Sequence, residues 1–260
     1  MARVSVKYEN HVAHVTLTRG DKMNALDDAM VKAIIAAGQE VAASDARAVV
    51  LSGEGESFCA GLDVASFAGF ASRDTEVWLN ARDYHDANEM QEVALVWRRV
   101  PVPVIAALQG AVYGGGLQLA LGADIRLAAP DAKLAVMEMK WGLIPDMGGM
   151  VLLPHLMRSD ALRQMVYTAR PVSAQRGAEW GLVTEIHDDP LTEARALADE
   201  IAGKSPSAIR AAKRLIDLAE CSNRQEVLQA ETAEQIALIG KPDQMEVIAA
   251  NMQGRKPEFE

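Results

Sequence analysis

The stretch VIAALQGAVYGGGLQLALGAD, residues 104–124, carries the strongest fold signal in this chain. An apolar run typical of a buried strand, Val104–Leu108, leads to three glycines, Gly114–Gly116, and then to an apolar helical pattern, Leu117–Leu121. Glycines between a strand and a helix let another group approach the backbone closely. The free N–H groups of a helix start favour negative charge. The stretch therefore predicts a site for a standing anion such as phosphate, or for an anion that forms during a reaction.

Composition narrows the class of protein. The 260 residues are 50% hydrophobic, which is enough for a sizeable core and compatible with one or two domains. The net charge of −10, with no basic stripe, argues against a nucleic-acid partner. Any anionic ligand must then be met by local Lys or Arg side chains or by backbone N–H groups.

Two further features bear on the compartment. Cys59 and Cys221 do not make a disulfide framework, so we expect a reduced intracellular setting. The first residues lack the apolar segment of a signal peptide, and no uncharged apolar run reaches membrane-spanning length. We expect a soluble cytoplasmic protein that has no membrane partner.

Short apolar strands alternate with helical patterns, and the chain after Val172 is almost wholly helical. We expect strands at Val4–Tyr8, His14–Thr18, Arg47–Ser52, Pro103–Leu108, Asp124–Ala128 and Lys133–Val136. We expect helices at Ala25–Ala43, Thr75–Arg99, Leu117–Leu121 and Gly149–Met157, and then near 173–180, 190–203, 206–220, 223–239 and 243–253. This order predicts an α/β body with a helical C-terminal region.

Several kinds of site are absent from the sequence. The glycine triplet fits neither G-x-x-x-x-G-K-[ST], because no Lys-Ser/Thr follows, nor G-x-G-x-x-G, because Leu119 occupies the last position. A tight turn with close helix packing would also explain the three glycines. There is no G-x-S-x-G, H-E-x-x-H or C-x-x-C, and the five histidines form no ligand-spaced cluster. We expect no metal site.

Two acidic residues downstream of the glycines are candidates for proton transfer. Glu138 lies in the apolar run Leu134–Met139, and Asp146 follows Pro145 where the next helix begins. A carboxylate beside Met and Trp141 side chains is desolvated, which raises its pKa and suits acid–base chemistry. The structural alternatives are a helix N-cap for Asp146 and a buried ion pair for Glu138.

An ordered set of motifs resembles the crotonase family, the enoyl-CoA hydratase/isomerase superfamily. The motifs are Leu17–Leu26, Phe58–Asp63, Pro103–Gly110, Gly114–Ala120, Ala123–Arg126, Gly142–Gly149 and Arg255–Pro257. The resemblance covers essentially the whole chain and implies a ββα spiral with a helical C-terminal region, usually assembled as trimers or paired trimers. It implies a core over residues 1–200 and a region at 201–260 for trimerisation and active-site cover. It also implies an acyl-CoA substrate, with no metal or redox cofactor.

The resemblance assigns roles to particular positions. In the family pattern two backbone N–H groups, here those of Leu62 and Gly115, hold the thioester oxygen as it becomes an enolate. The anion is then transient rather than a bound phosphate. The expected CoA-binding residues are Lys22, Ala25, Leu26, Ala60 and Lys256, and the expected acyl-pocket residues are Tyr113, Met137 and Trp141.

The chain departs from the family's hydratases at one decisive position. Those enzymes place one glutamate two residues after the glycine triplet and a second twenty residues later, which are Gln118 and Glu138 here. An amide can orient substrate or water but does not exchange a proton at neutral pH. The family's dienoyl-CoA isomerases use a glutamate matching Glu138 and an aspartate matching Asp146, with an aspartate where this chain has Gln118.

These residues support three hypotheses. The leading one is a CoA-thioester isomerase, of dienoyl-CoA or 3-enoyl-CoA type, in which Glu138 is the proton-shuttling base, Asp146 the second acid/base group and Gln118 an orienting side chain. The second is an enoyl-CoA hydratase in which Asp146 replaces the missing partner. The third is a non-catalytic acyl-CoA-binding protein, because a fold alone does not guarantee activity.

Overall fold

A computed structural model of the protein describes residues 2–66, 69 and 72–259. The larger of two sheets contains, in spatial order, β1 (Val4–Glu9), β2 (Val12–Leu17), β3 (Ala48–Gly53), β4 (Val104–Leu108), β6 (Ile125–Ala128) and β9 (Glu185–Ile186). Apart from the antiparallel pair β1–β2, its neighbours run parallel. The smaller sheet contains β5 (Ala111–Tyr113), β7 (Lys133–Ala135) and β8 (Val172–Ser173).

Helices cover the sheets and make up the C-terminal part of the chain. They are α1 (Asp28–Ala42), α2 (Thr75–Asn80), α3 (Glu89–Arg99), α4 (Gly115–Leu121), α5 (Gly149–Leu156), α6 (Ser159–Thr168), α7 (Ala174–Trp180), α8 (Pro190–Ala202), α9 (Pro206–Cys221), α10 (Arg224–Leu238) and α11 (Pro242–Gln253). Short 3₁₀ turns span Gly20–Lys22, Val64–Ser66 and Glu138–Trp141. Among the helices described, none is both long and apolar enough to cross a membrane.

A strand–strand–helix unit builds the molecule as a spiral. From β4 in the large sheet the chain passes to β5 in the small sheet and then into α4. The preceding turn of the spiral follows the same course, because Cys59, after β3, forms an isolated parallel bridge with Val112 of β5. The predicted α/β class is confirmed, and the observed order is that of a ββα spiral.

The central strands are buried on both faces, which explains why they read as continuous apolar runs. All five residues of β4 are buried. One face of the large sheet packs on the small residues Ala194, Ala198 and Ala202 of α8. The opposite face contributes to the main core, whose largest fully buried side chains include Trp97 and Phe58.

Two expected helices have different limits in the structure. The predicted helix Thr75–Arg99 is wrong, because the chain forms α2 and α3 with a break between them. The Asn88 side chain accepts from the Gln91 N–H, the Gln91 side chain accepts from the Asn88 N–H, and this capping box starts α3. The helix expected from Ala25 begins only after Asp27, which caps it by accepting from the Met30 N–H.

Other elements were not predicted at all. The strands β5, β8 and β9 have two or three residues, too few for an alternating pattern to stand out. The helix α6 was missed as well; it follows α5 after Arg158, whose extended backbone separates the two helices.

Ion pairs connect α9 to α3 and to the start of β6. The Lys213 ammonium of α9 lies 2.8 Å from the Asp124 carboxylate at the start of β6. The Arg98 guanidinium at the end of α3 lies 2.6 Å from Asp217 and 2.5 Å from Glu220. By contrast, α10 buries none of its residues. These ion pairs therefore attach α9 to the body.

Asn24 fixes the loop between β2 and α1. The residue is fully buried, and its side chain accepts from the Arg19 N–H and donates to the carbonyls of Glu54 and Ser57 at 3.0 and 2.9 Å. Its φ of 52° lies in the left-handed region, which asparagine tolerates better than most residues. The side chain thus joins this loop to the segment that follows β3.

Replacing Asn24 by alanine is expected to lower the free energy of unfolding by about 2–4 kcal/mol, since each buried polar group left without a partner costs about 1–3 kcal/mol. The measurement is urea denaturation. Asn10→Ala is the matched control, because Asn10 has a similar φ of 49° but is exposed. Equal losses in the two variants would attribute the effect to backbone conformation rather than to the buried hydrogen bonds.

Candidate functional site

The site forms where the segment after β3 passes over the turn before α4. Gly61 has a φ of +87°, and a Cβ placed on it would lie 2.7 Å from the Tyr113 carbonyl oxygen and 3.4 Å from the Gly115 nitrogen. Any side chain at this position would therefore push the two segments apart. The glycine allows the backbone of Leu62 to lie beside the first residue of α4.

Two backbone N–H groups at this approach have no partner. Among the described residues, neither the Leu62 nor the Gly115 N–H donates to a protein acceptor. Gly115 is the first residue of α4, so its N–H has no carbonyl within the helix. The half-buried Leu62 lies in a short bridge with Leu26 rather than in a regular sheet. Unpaired amides in such a place are suited to hold an oxygen that carries negative charge.

The Leu62 backbone is held from both sides. The Leu26 N–H donates to the Gly61 carbonyl at 2.8 Å, and the Asp63 N–H donates to the Leu26 carbonyl at 3.0 Å. The Asp63 carboxylate pairs with the Arg19 guanidinium at 2.7 Å, and this ion pair lowers the pKa of Asp63. These contacts fix where the Leu62 N–H points.

Glu138 places a buried carboxyl group next to the start of α4. A Cβ on Gly114 would lie 3.4 Å from Glu138 Oε1, so the carboxyl group lies over the glycine turn. Glu138 Oε2 is buried, and no hydrogen-bond partner contacts it in the described part of the chain. Burial raises the pKa of Glu138, and the nearby negative charge of Asp146 raises it further, against opposing hydrogen bonds from its own backbone N–H and from Gln118. This is the environment expected of a general base.

Gln118 connects Glu138 to the turn that precedes α5. Its Nε2 donates to Glu138 Oε1 at 2.7 Å. Its Oε1 accepts from the N–H groups of Met147 and Gly149 at 2.8 and 3.0 Å. The side chain is 1% exposed, so these three bonds define its surroundings.

Asp146 immediately precedes the anchored residue Met147. Asp146 lies at the surface of the chain, yet the protein atoms around its carboxyl group displace water and raise its pKa. It does not cap α5, because Gly148 occupies the N-cap position. The N-cap alternative for Asp146 is therefore wrong. Glu138 likewise has no ion-pair partner among the described residues, which argues against the buried-pair alternative for it.

Four of the five residues expected to bind CoA lie together. The exposed Lys22 ends a 3₁₀ turn, and the Ala25 N–H donates to its carbonyl. The Ala60 N–H donates to the Met23 carbonyl at 2.9 Å, and Leu26 bridges to Leu62. Lys22, Ala25 and Ala60 are at least partly exposed here, whereas Leu26 is fully buried and reaches this place only through its backbone bridge to Leu62. Their contact with CoA stays a prediction.

Lys256 lies at the other end of the large sheet. The backbone of Phe259, three residues further on, accepts from Arg47, which directly precedes β3. Lys22 instead follows the end of β2, which runs parallel to β3. A single chain therefore does not bring Lys256 to the Lys22 surface. For both lysines to bind one CoA molecule, a second copy of the chain would have to supply one of them.

The expected acyl-pocket residues flank the glutamate at different depths. Tyr113 and Met137 are half-buried, and a Cβ on Gly114 would lie 3.7 Å from Met137 Cβ. Trp141 ends the turn that Glu138 begins and is 49% exposed, with the Lys140 ammonium 5.6 Å from its ring centre. Tyr113 and Met137 thus adjoin the glycine turn, whereas Trp141 lies at the rim. The lining of an acyl pocket by these three remains a prediction.

Several residues that organise this site were not predicted as functional. Asn24 and Arg19 hold the loops around Leu62, and the backbone N–H groups of Met147 and Gly149 hold Gln118. Asparagine's tolerance of positive φ was the one available signal for Asn24. Within residues 2–66, 69 and 72–259, no three His, Cys, Asp or Glu side chains converge in a way that could hold a metal ion.

Comparison with known proteins identifies the family. The sequence model of the enoyl-CoA hydratase/isomerase family matches residues 7–260. A human protein named Delta(3,5)-Delta(2,4)-dienoyl-CoA isomerase, mitochondrial, is 35% identical over 213 residues, which cover 79% of this chain and 65% of that protein. Enoyl-CoA hydratase EchA19 of Mycobacterium tuberculosis is 30% identical over 258 residues, covering 98% of this chain and 95% of that protein.

A solved structure gives the same result for the fold. The enoyl-CoA hydratase of Bacillus anthracis superimposes with a TM-score of 0.87 at 31% identity, covering 99% of this chain and 98% of that one. The predicted crotonase-like spiral is therefore confirmed. The chain belongs to the enoyl-CoA hydratase/isomerase family, the crotonase superfamily.

Proposed function

We propose that this protein is a CoA-thioester isomerase that moves double bonds in an unsaturated acyl-CoA. The observation that carries the proposal is one buried carboxyl group, that of Glu138, which has one unbonded oxygen and lies over the glycine turn that leads to the unpaired Gly115 N–H. The buried side chain bonded to Glu138 is the amide of Gln118, so it does not provide a second carboxylate.

The N–H groups of Leu62 and Gly115 bind the thioester oxygen. Glu138 Oε2 removes a proton from the carbon next to the carbonyl; the C–H bond breaks, and its electron pair moves onto the thioester oxygen as an enolate. The two fixed donors stabilise this charge, and loss of one such donor costs about 10²–10³ in rate. A carboxylic acid, the newly protonated Glu138 or Asp146, then gives a proton to another carbon of the conjugated enolate. A C–H bond forms there, the thioester C=O bond re-forms, and the double bond has moved.

Asp146 provides a second acid/base group at the edge of the site. Its negative charge raises the pKa of Glu138, so the two carboxyl groups are close enough to influence each other. With a 3,5-dienoyl-CoA, one carboxyl group can remove a proton while the other delivers one to the far end of the conjugated system. The similarity to the human dienoyl-CoA isomerase supports this version. Moving a single double bond would need only Glu138 and not Asp146.

Hydration of a 2-enoyl-CoA is the second candidate, favoured by the full-length similarity to a protein named enoyl-CoA hydratase. Hydration needs two groups, one that accepts a proton from water and one that delivers a proton to carbon, so Glu138 needs a partner. Gln118 Oε1 already accepts two backbone hydrogen bonds, so it has little capacity left to accept another from water. Asp146 would have to take that role, which is why we place isomerisation first. A non-catalytic acyl-CoA-binding protein is the third candidate.

We also propose that the protein works as a homotrimer or a dimer of trimers. Exposed apolar side chains on the C-terminal helices support an assembled form; they are Leu228, Ile236, Ile239, Met245, Ile248 and Met252. A second copy would also offer a route for Lys256 to reach a CoA molecule.

Product analysis separates the three functions. Purified protein is incubated with a 2-enoyl-CoA, a 3-enoyl-CoA and a 3,5-dienoyl-CoA, and the products are identified by mass spectrometry and NMR. We expect a shifted double bond without a change of mass. A product heavier by one water would establish hydration, and tight CoA binding with no turnover of any ester would favour the non-catalytic protein.

Glu138→Gln is expected to lower kcat by about 10²–10⁴-fold, the usual contribution of a general base, while acyl-CoA binding is kept. Steady-state kinetics and calorimetric titration with a substrate measure the two effects. Glu200→Gln is the control, because Glu200 is exposed and its ion pair is with Lys204, just beyond the end of α8. Retained turnover in the Glu138 variant would remove this residue from the mechanism.

The same substitution is expected to raise the Tm at neutral pH. Folding raises the pKa of Glu138, so the ionised form is less stable in the folded than in the unfolded chain. This penalty is absent below the unfolded pKa and complete above the folded one. The Tm gain, about 2–4 °C per kcal/mol for a chain of this size, should therefore vanish in acid. A pH-independent gain would show that ionisation is not its cause.

A further inference from the structure

The Gln118 amide has a single allowed orientation. Its oxygen accepts from two backbone N–H groups, those of Met147 and Gly149, and its nitrogen donates to the Glu138 carboxyl group. Rotating the amide by half a turn would set its NH₂ group against two donors and its oxygen against a carboxylate oxygen. The hydrogen-bond network therefore assigns the amide without ambiguity.

We infer that Gln118 is a positioning residue that locks Glu138 and the Asp146-bearing turn into one arrangement and leaves only Oε2 of Glu138 free to exchange a proton. This inference rests on the proposed isomerase function. It gives Gln118 a different role from the orientation of substrate or water that its place in the sequence indicates.

The effect on Glu138 comes from the donor side of the amide. With Oε1 bonded to Gln118 Nε2, the proton-accepting position is Oε2, which has no other partner in the described residues. The donated hydrogen bond favours the ionised carboxylate and opposes the effect of burial. Gln118 thereby keeps Glu138 competent as a base despite its enclosure.

The effect on Asp146 comes from the acceptor side. The N–H of Met147, the next residue, and that of Gly149 both bind Gln118 Oε1, so the turn is attached to α4 at two points. The Gln118 nitrogen binds Glu138 and the Gln118 oxygen binds this turn, so the amide fixes the separation between Asp146 and Glu138. Proton removal and delivery at two carbons of one substrate require that separation to be constant.

Few other charged side chains lie where they could affect the ionisation of Glu138. Asp146 is the charged residue whose field raises its pKa, and α4 carries no titratable side chain. On its own turn, Lys140 lies over the Trp141 ring. The helix α6, which packs on this turn, carries Asp160, paired with Arg158, and Arg163, bonded to Ser159 and Tyr167. The ionisation of Glu138 is thus governed by burial, its backbone, Gln118 and Asp146.

Gln118→Glu tests the inference, because it keeps the acceptor for the turn but removes the donor to Glu138. Two carboxyl groups at this distance hold one proton between them. Residue 118 keeps the two backbone N–H bonds, so the proton remains on Glu138. We expect the acid limb of the kcat/KM profile to move up by about one pH unit or more, with activity at neutral pH reduced and recovered as pH rises.

Two further variants separate positioning from a general loss of structure. Gln118→Met removes both the donor and the acceptor, and we expect a lower Tm together with a lower kcat over the whole pH range. Gln109→Glu is the matched control, because the Gln109 amide also donates to two acceptors, the backbone carbonyls of Gly53 and Gly55, but has no bond to Glu138. We expect it to leave the pH profile unchanged.

An unchanged acid limb in Gln118→Glu would overturn the inference. Infrared titration of carboxyl groups in the free protein provides a readout without turnover: a Glu138 band, identified by its loss in Glu138→Gln, should titrate at higher pH in Gln118→Glu. If this band moves but no unsaturated CoA ester is converted, the proposed function fails while the coupling stands. If esters are isomerised and the band stays in place, the coupling fails alone.

Discussion

The contact of the Gly61 backbone with the turn before α4 is the constraint on which the site depends. A side chain at this position would collide with the Tyr113 carbonyl, at 2.7 Å, and would separate the two segments. With glycine there, Leu62 and Gly115 lie beside each other, and neither N–H has a partner among the described residues. A spiral that brings one turn of chain onto the next creates this contact, because successive turns supply the two segments.

Burial of Glu138 illustrates the conflict between stability and chemistry. Its carboxyl group has a raised pKa and one oxygen without a hydrogen-bond partner. The ionised group therefore destabilises the fold at neutral pH. The protein compensates on the other oxygen, where the amide of Gln118 donates a hydrogen bond at 2.7 Å. The proposed transfer of a proton between two carbons needs a base that takes up a proton readily and also releases it.

Sequence reasoning predicted the strands and helices that have long apolar patterns, and it placed Glu138 in an apolar environment from its neighbours alone. It failed for the break between α2 and α3, because the helical pattern continues through residues that an asparagine cap separates. The specific roles of Leu62 and Gly115 followed only from the resemblance, because the glycine triplet indicates an anion site at a helix start but not which two N–H groups form it. The orientation of Gln118 was beyond prediction, because it depends on Met147 and Gly149, about thirty residues away.

The central claim is that Leu62 and Gly115 polarise the thioester carbonyl. The most direct measurement is the infrared difference spectrum of an unsaturated acyl-CoA with a ¹³C-labelled thioester carbonyl, bound to the Glu138→Gln protein. We predict a carbonyl band at clearly lower frequency than in water, because two fixed donors weaken the C=O bond. A band at the same or a higher frequency would mean that the carbonyl lies elsewhere and would contradict the account.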